Sequence, residues 1–279
     1  MPELPEVHTI ACGLETALQG REFTGVEVRR PASVDGDPSW LAKELPGKII
    51  TRVWRRGKAL IMDVEPKLVL GFHLRMTGRL YLPEPGAEPG KHTHLIFRLA
   101  PKSGQSDRLF FEDPRTFGSC RPMRQGELAD WPFFAALGPE PLDISAQEFA
   151  GLFKGRSAKV KGLLLDQTFI AGIGNIYADE SLFRAKIRPD AGADSLSAEK
   201  LRGLHKVLVE VLNEAIAACG SSISDYRDAQ GNAGAFQNEF RVYGRAGEAC
   251  MACGSKLSAM KVAGRTTVYC SRCQPKRRK

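Results

Sequence analysis

The sequence predicts an α+β fold of more than one domain, and three observations carry this prediction. Residues 21–121 consist of short segments rich in β-branched and aromatic residues, separated by Gly, Pro and Asp. Beyond residue 144 the apolar residues recur at helical spacing. The last 30 residues contain two closely spaced cysteine pairs. We therefore expect a β-rich first part, a helical second part and a small terminal unit.

The first part begins with a predicted helix at residues 5–19, because Val7, Ile10 and Leu14 recur at helical spacing. Several of the segments that follow alternate in polarity, as half-buried strands do. Little helix separates them, which predicts an antiparallel sandwich or a barrel-like domain. Residues 82–91, LPEPGAEPGK, predict a loop, since proline and glycine interrupt every regular element there.

The second part follows a predicted linker at residues 132–144, PFFAALGPEPLDI. Ser145 and Glu148 have the spacing of a capping box, which predicts a helix start. Residues 195–219 carry the clearest helical pattern, with Leu201, Leu204 and Leu208 on one face. The predicted domain boundaries are 1–131, 145–240 and 241–279.

The terminal unit has the spacing of a four-thiolate zinc site, with two C-x2-C pairs separated by sixteen residues: Cys250, Cys253, Cys270 and Cys273. So short a segment buries little core, so metal binding would supply its folding free energy. Four thiolates leave no open position for a substrate, so the predicted Zn²⁺ is structural. Two disulfides are the alternative. The intervening residues predict a hairpin whose Lys256, Lys261 and Arg265 suit phosphate contact, whereas the basic tail PKRRK is weaker evidence.

Net charge indicates a partner without deciding on one. The formal charge of +8 and the pI of 9.2 fit a nucleic-acid partner, and they also fit a merely soluble basic protein. No segment approaches the roughly 18 apolar residues of a membrane span, and no secretory signal is visible, so we expect no membrane association. The single cysteines Cys12, Cys120 and Cys219 fit a reducing cytoplasm better than a disulfide framework.

Residues 171–180, AGIGNIYADE, form a glycine turn leading into a predicted helix. The turn is either a plain helix–turn–helix connection or an anion site, because the first N–H groups of a helix are unpaired. Asn175 adds a side-chain donor, and Lys159 and Lys161 precede it. The string lacks the third glycine and the surrounding strands of a dinucleotide-binding fingerprint.

The opening MPELPEV contains two Pro-Glu pairs. Pro5 and Glu6 suit the first turn of a helix, because proline fits there and an acidic side chain complements the helix dipole. Pro2 and Glu3 precede the helical pattern, so helix formation leaves them unexplained.

Taken together, MPELPEV, RRGKAL, HLRMTG, DPRTFG, AGIGNIYADE and the cysteine pairs resemble, in this order, the bacterial formamidopyrimidine-DNA glycosylases (Fpg, or MutM). The resemblance covers essentially the whole chain. It implies an N-terminal antiparallel β-sandwich flanked by helices, a helix–two-turn–helix domain and a β-hairpin zinc finger, with DNA between the two halves. It also implies a bifunctional DNA glycosylase and AP lyase of base excision repair, acting as a monomer on 8-oxoguanine and formamidopyrimidines in double-stranded DNA.

The resemblance gives Pro2 and Glu3 a chemical role. Removal of Met1 would expose the Pro2 amine, whose reference pKa of about 8 leaves a neutral fraction at pH 7. That amine would displace the damaged base and form a Schiff base, after which β- and δ-elimination cut the strand. Glu3 would act as the acid–base partner, Glu6 as a second carboxylate and Lys58 as a phosphate-binding lysine that assists catalysis. No catalytic cofactor is implied.

The resemblance also implies a set of DNA contacts. Those to the phosphates would come from Lys161, Asn175 and Arg265, with Tyr177 and Glu180 near the base pocket and its support. Three residues would fill the gap left by the extruded base: Met76, Arg115 and Phe117. By spacing alone, Met76 and Phe117 would instead be core residues, and Lys58 would be an exposed strand residue. Residues 225–236 match a loop that covers the base.

Two residues depart from the frequent family motifs HLGMSG and DPRRFG, namely Arg75 and Thr116. We expect them to alter the grip on the undamaged strand without removing function. The alternatives are an endonuclease VIII-like glycosylase for oxidised pyrimidines, whose usual opening is PEGPE, and a non-enzymatic zinc-ribbon DNA-binding protein.

Overall fold

The structure is a computed structural model that describes residues 1–222, 228–229 and 232–276. The chain forms two compact units. The first comprises Met1–Ala135 and Ala218–Ala235, and the second comprises Ala136–Ala217 and Phe236–Lys279. The boundaries predicted from the sequence stay predictions. In the part of the chain that is described, no helix is both long and apolar enough to cross a membrane.

Among its described residues, the first unit contains three α-helices and eight strands. They are α1 (Leu4–Leu18), β1 (Phe23–Val28), α2 (Pro38–Glu44), β2 (Ile49–Arg56), β3 (Ala59–Glu65), β4 (Leu68–His73), β5 (Arg79–Tyr81), β6 (Thr93–Leu99), β7 (Arg108–Glu112), β8 (Ser119–Arg124) and α3 (Pro132–Ala135). The strands form two four-stranded sheets, in the orders β1-β6-β7-β5 and β2-β3-β4-β8. All neighbouring strands are antiparallel, which confirms the predicted sandwich.

Aromatic side chains from both sheets meet in the core. Phe72 of β4 lies 5.9 Å from Phe97 of β6 and 6.0 Å from Phe111 of β7, measured between ring centroids. The predicted first helix is confirmed as α1, and its apolar residues are buried and pack into the same core. Residues 82–91 contain no helix or strand, as predicted. The predicted linker begins with α3, where Phe134 packs on Trp54 and Trp131.

Two turns cross between the sheets at the same end of the sandwich. Residues 74–78 lead from β4 to β5, and residues 113–118 lead from β7 back to β8. Because β4 pairs with β8 and β5 pairs with β7, the two crossings run side by side. The topology therefore brings the HLRMTG and DPRTFG motifs together.

The second unit, as far as the structure describes it, contains four α-helices and a hairpin. They are α4 (Ala146–Leu152), α5 (Val160–Leu165), α6 (Asn175–Arg184), α7 (Ala198–Ala217), β9 (Ser258–Val262) and β10 (Arg265–Tyr269). The predicted capping box is confirmed, since Ser145 and Glu148 exchange hydrogen bonds at the start of α4. The predicted apolar face of α7 is buried, and α4 and α6 pack against this helix. The predicted hairpin is the antiparallel pair β9–β10.

Candidate functional site

The chain of the first unit becomes buried from its second residue onward. Met1 is 41% exposed, whereas Pro2 and Glu3 are buried. Glu3 is the residue before the first turn of α1, and its backbone N–H donates to Glu6 Oε2 at 2.8 Å. The start of α1 therefore fixes the backbone next to Pro2.

Charged side chains surround the terminal amine. Burial lowers the pKa of the Met1 amine below its ordinary value of 8.0, because a charged amine loses its hydration. The carboxylates of Glu3 and Glu6 act against this shift, and the cations Lys58 and Arg115 add to it. The structure thus brings the predicted catalytic residues to one place, around an amine whose neutral form is favoured.

Lys58 lies in the two-residue turn of the β2–β3 hairpin. Arg56 pairs with Ala59, and Gly57 takes the left-handed conformation, at φ 56°, that closes so tight a turn. The side chain of Lys58 is only 4% exposed. An exposed strand lysine is therefore excluded.

Glu6 connects α1 to a distant part of the sequence. Its Oε1 accepts from the backbone N–H of Ser221 at 2.8 Å and from the Ser221 hydroxyl at 3.0 Å. A Cβ at Gly220 would lie 3.0 Å from Glu6, so glycine permits this approach. Glu6 is 1% exposed. Its contacts hold the residues that precede the predicted base-covering loop. Five residues of that predicted loop, 225–227, 230 and 231, lie outside the described residues.

The three predicted gap-filling residues lie on the two crossing turns. Met76 is 36% exposed and Phe117 is 56% exposed, while the Arg115 guanidinium lies 5.1 Å from the centroid of the Phe117 ring. Such exposure excludes the alternative that Met76 and Phe117 are core residues. The prediction that they enter DNA stays a prediction.

The sequence reasoning missed the residues that support these turns. His73 accepts the backbone N–H of Arg75 on Nδ1 at 3.0 Å, which assigns the ring proton to Nε2. Burial lowers the His73 pKa to about 3, with smaller contributions from Arg75 and Lys58, so the ring is neutral. Asp113 is completely buried between the turns. An Asp directly before Pro, in a turn rich in polar residues, is the local signal that indicates such a turn-capping role.

In the second unit, the glycine turn ends at α6 as expected. Gly172 has φ 92°, and the side chain of Gln167 holds the turn through the Gly172 N–H and the Ile173 carbonyl. Asn175 Nδ2 donates to the Thr266 carbonyl at 3.1 Å, beside the exposed Arg265. The structure therefore brings Asn175 and Arg265 together.

Lys161 is completely buried, unlike an ordinary phosphate-binding lysine. Its Nζ lies 2.6 Å from Asp179 Oδ1 and 2.5 Å from Thr267 Oγ1. Burial raises the Asp179 pKa to about 6, although Lys161 acts in the opposite direction. Asp179 Oδ2 also accepts the Val268 N–H at 3.2 Å. This network joins α5, α6 and β10, and the predicted phosphate contact of Lys161 stays a prediction.

Glu180 and Tyr177 are both fully buried. The Glu180 carboxylate accepts backbone N–H groups from Arg241, Val242 and Tyr243 at 2.8–3.1 Å. Tyr177 packs on Phe236 at 5.7 Å between ring centroids. Glu180 therefore supports the chain that enters the terminal unit, and its predicted proximity to a base stays a prediction.

The four predicted zinc ligands form a cluster suited to the ion. Their Sγ atoms all lie within 4.8 Å of one another, with Cys250 to Cys273 at 3.9 Å and Cys253 to Cys270 at 3.5 Å. Four sulfurs at about 2.3 Å from a tetrahedral zinc are separated by roughly 3.8 Å, so the cluster fits. All four cysteines are free thiols, which argues against the disulfide alternative.

Family models match most of the chain. Residues 1–120 match the formamidopyrimidine-DNA glycosylase N-terminal domain, residues 137–227 match the formamidopyrimidine-DNA glycosylase H2TH domain, and residues 247–276 match the zinc finger found in FPG and IleRS. These matches confirm the resemblance and the predicted fold class. They also support a structural zinc held by the four cysteines.

Relatives match over the full length. The formamidopyrimidine-DNA glycosylase of Desulfitobacterium hafniense is 43% identical, over 98% of this chain and 100% of that protein. A mutant FPG of Lactococcus lactis in complex with a Fapy-dG containing DNA superposes with a TM-score of 0.91 at 37% identity, covering 99% of this chain and 100% of that one. A complex of Lactococcus lactis Fpg with an abasic site containing DNA superposes with a TM-score of 0.90 at 36% identity, covering 98% of this chain and 100% of that one.

Proposed function

Because the chain belongs to the formamidopyrimidine-DNA glycosylase family, we propose that it removes oxidised purines from DNA with the Pro2 amine as its nucleophile. The chain is a DNA glycosylase and AP lyase of base excision repair, and damaged DNA is its partner. The proposal concerns the residues that perform the reaction and the lesions that are accepted.

The buried amino terminus is the observation that carries the proposal. Cleavage of the Met1–Pro2 bond would place the free amine at Pro2. Pro2 is buried, whereas Met1 is partly exposed. Because Pro2 is buried next to Met1, we expect the burial and the cations that lower the pKa of the Met1 amine to lower that of the Pro2 amine too. A neutral amine at physiological pH is the form that attacks carbon.

In the first step, the Pro2 nitrogen attacks C1′ of the deoxyribose, and the C1′–base bond breaks with its electron pair leaving on the base, which takes up the proton that the Pro2 nitrogen loses. Glu3 is positioned beside the amine and donates a proton to the sugar ring oxygen as the ring opens. The product is an iminium ion between Pro2 and C1′. Because proline is a secondary amine, this adduct keeps its positive charge.

The iminium ion then makes the C2′ hydrogens acidic, because it accepts the electron pair released by deprotonation. Loss of the 3′ phosphate by β-elimination and of the 5′ phosphate by δ-elimination cuts the strand on both sides. Lys58 contributes a cation near the departing phosphates. Its enclosure in the hairpin turn strengthens this attraction, since less water screens the charge. This chemistry requires no bound cofactor.

The second unit supplies the proposed phosphate contacts. Asn175 and Arg265 lie together at the start of α6 and β10, where the helix dipole also favours an anion. Zinc holds the hairpin that carries Arg265, so the metal acts on binding and takes no part in the chemistry. Lys161 remains a proposed member of this group.

We further propose that the enzyme works as a monomer in the cytoplasm. All the proposed catalytic and DNA-binding residues belong to one chain. The free cysteines fit a reducing compartment.

Borohydride trapping tests this function. The protein is incubated with duplexes that contain 8-oxoguanine or dihydrouracil, with reduction of any Schiff base to a stable adduct. We expect a covalent adduct with the 8-oxoguanine duplex and a far weaker one after Pro2→Gly, which should keep DNA binding; equal turnover in this variant would contradict the role of the Pro2 amine. An adduct with dihydrouracil alone would instead indicate an endonuclease VIII-like activity. DNA binding without any adduct would indicate a non-enzymatic binding protein.

A further inference from the structure

The two crossing turns of the first unit share one buried side chain, Asp113. The backbone N–H of Gly118 donates to Oδ2 at 2.6 Å, and the backbone N–H of Arg115 donates to Oδ1 at 3.1 Å. The hydroxyl of Thr77, from the other turn, donates to the same Oδ1. A single carboxylate therefore fixes the DPRTFG turn and joins it to the HLRMTG turn.

The backbone of both turns needs this support. Arg75 and Thr116 have φ values of 52° and 60°, in the left-handed region where a side chain is strained by about 1 kcal/mol. The His73 ring accepts the N–H of Arg75, and the Asp113 carbonyl accepts the N–H of Thr116 at 3.1 Å. Each strained residue is thus held by a hydrogen bond within its own turn.

Close packing at glycine leaves little freedom for either turn to shift. A Cβ at Gly118 would lie 3.2 Å from the Asp113 carboxylate and 3.2 Å from the His73 carbonyl. A Cβ at Gly78 would lie 2.4 Å from the Leu74 carbonyl, which accepts the Gly78 N–H at 2.8 Å. The turns therefore have well-defined ends, and the bond between Thr77 and Asp113 links them.

We propose that Asp113, through Thr77, is a positioning residue that makes Met76, Arg115 and Phe117 one rigid wedge for extruding the damaged base. This inference rests on the proposed function. The wedge residues come from separate turns, so a stacked base pair that resists opening would otherwise push the turns apart. Asp113 is buried and does not touch DNA in this role.

The proposal makes a distinction between substrates. An 8-oxoguanine paired with cytosine must leave the stack before excision, and opening the pair takes a few kcal/mol. A preformed abasic site has no base to extrude, so its cleavage depends on Pro2, Glu3 and Lys58 and far less on the wedge. A loosened wedge should therefore slow the first reaction and spare the second.

Three variants separate the link from general folding. Thr77→Val keeps the side-chain shape and removes the donor, while Thr77→Ser keeps the hydroxyl and serves as the conservative control. Asp113→Asn replaces one acceptor oxygen with an NH₂ group, which in either orientation faces an N–H or O–H donor. Thermal unfolding of each variant shows whether it is folded at the assay temperature.

The measurements are single-turnover strand cleavage of two duplexes, one with 8-oxoguanine opposite cytosine and one with an abasic site opposite cytosine. A 2-aminopurine next to the lesion reports opening of the stack by its fluorescence. For Thr77→Val we expect about a tenfold slower excision of 8-oxoguanine, which is the effect of one lost hydrogen bond. We expect a change below about twofold at the abasic site, a smaller fluorescence rise, and recovery in Thr77→Ser.

Two outcomes overturn the inference, and they are distinguishable from failure of the function itself. Equal slowing on both duplexes, or no slowing on either in folded Thr77→Val, would show that Asp113 does not position the wedge. Failure of the unmodified protein to form a borohydride adduct at the abasic site would remove the proposed function, and this inference with it.

Discussion

Replacing Lys161 with methionine should destabilise the second unit, because the substitution leaves Asp179 buried without its cation. The two side chains are fully buried, with Nζ and Oδ1 only 2.6 Å apart. Loss of one partner from such a pair typically costs about 3–5 kcal/mol. Asp179 can limit this loss by taking up a proton in the folded state. The free-energy cost of that protonation therefore sets an upper bound on the destabilisation.

This upper bound on the destabilisation depends on the pH. With its folded pKa near 6, protonating the Asp179 carboxylate costs about 1.4 kcal/mol at pH 7 and nothing at pH 5, where most of the carboxyl groups already carry the proton. In the variant, the folded pKa of Asp179 is raised further, so the loss relative to the unmodified protein is absent well below pH 6 and grows as the pH rises above 6. We therefore expect a destabilisation of about 1–1.5 kcal/mol at pH 7 that disappears at pH 5.

Urea unfolding at the two pH values measures this difference, and the double variant Lys161→Met with Asp179→Asn is the matched control. The amide keeps an acceptor for Val268 and removes the charge, so the double variant should regain more than half of the lost stability. No measurable loss of stability at pH 7, or an equal loss at pH 5, would contradict this expectation. If the stable double variant binds DNA with a salt dependence weaker by about 0.9 in log–log slope, Lys161 contacts a phosphate as well.

Three further predictions follow from the described residues. The rate of adduct formation should rise with pH through a midpoint below 8, because burial lowers the pKa of the terminal amine and only the neutral amine attacks. Borohydride trapping at fixed times between pH 5 and 9 measures this rate. A rate that does not change with pH would contradict the prediction. Arg75→Gly should leave the free energy of unfolding unchanged or raise it by up to about 1 kcal/mol, because glycine relieves the strain at φ 52°. The same variant should weaken DNA binding severalfold in a fluorescence-anisotropy titration. Thr116→Gly, at φ 60°, is the uncharged control and should keep full affinity. Removal of zinc by a chelator should unfold the β9–β10 hairpin and abolish DNA binding, whereas the thermal transition of the first unit, which contains none of the four ligands, should persist in calorimetry.

Features encoded by local sequence could be predicted. The apolar spacing of Val7, Ile10 and Leu14 predicted α1, and the Ser145–Glu148 spacing predicted the start of α4. The cysteine pairs predicted both the hairpin and the metal cluster, because a C-x2-C segment places two thiols on one side of a single turn. The short alternating segments with turn residues between them predicted an antiparallel sandwich or a barrel-like domain, and the resemblance implied the sandwich.

Pairings between distant residues could not be predicted in this way. Glu6 meets Ser221 across 215 positions, and Lys161 meets Thr267 across 106. Nothing in the local pattern marks either partner, since the contact exists only after the fold has brought the segments together. Asp113 shows the same limit, because its bond to Thr77 depends on two strand pairings. The helix α3 also escaped prediction, because its Phe133 and Phe134 gain stability from packing on aromatic neighbours such as Trp131.

The most direct test of the catalytic assignment is to locate the trapped sugar on the protein. After borohydride reduction with an abasic-site duplex, proteolysis and mass spectrometry identify the modified amine. The account predicts a single adduct on a peptide that begins at Pro2, with Met1 absent. An adduct on Lys58, or on the amine of a retained Met1, would contradict it.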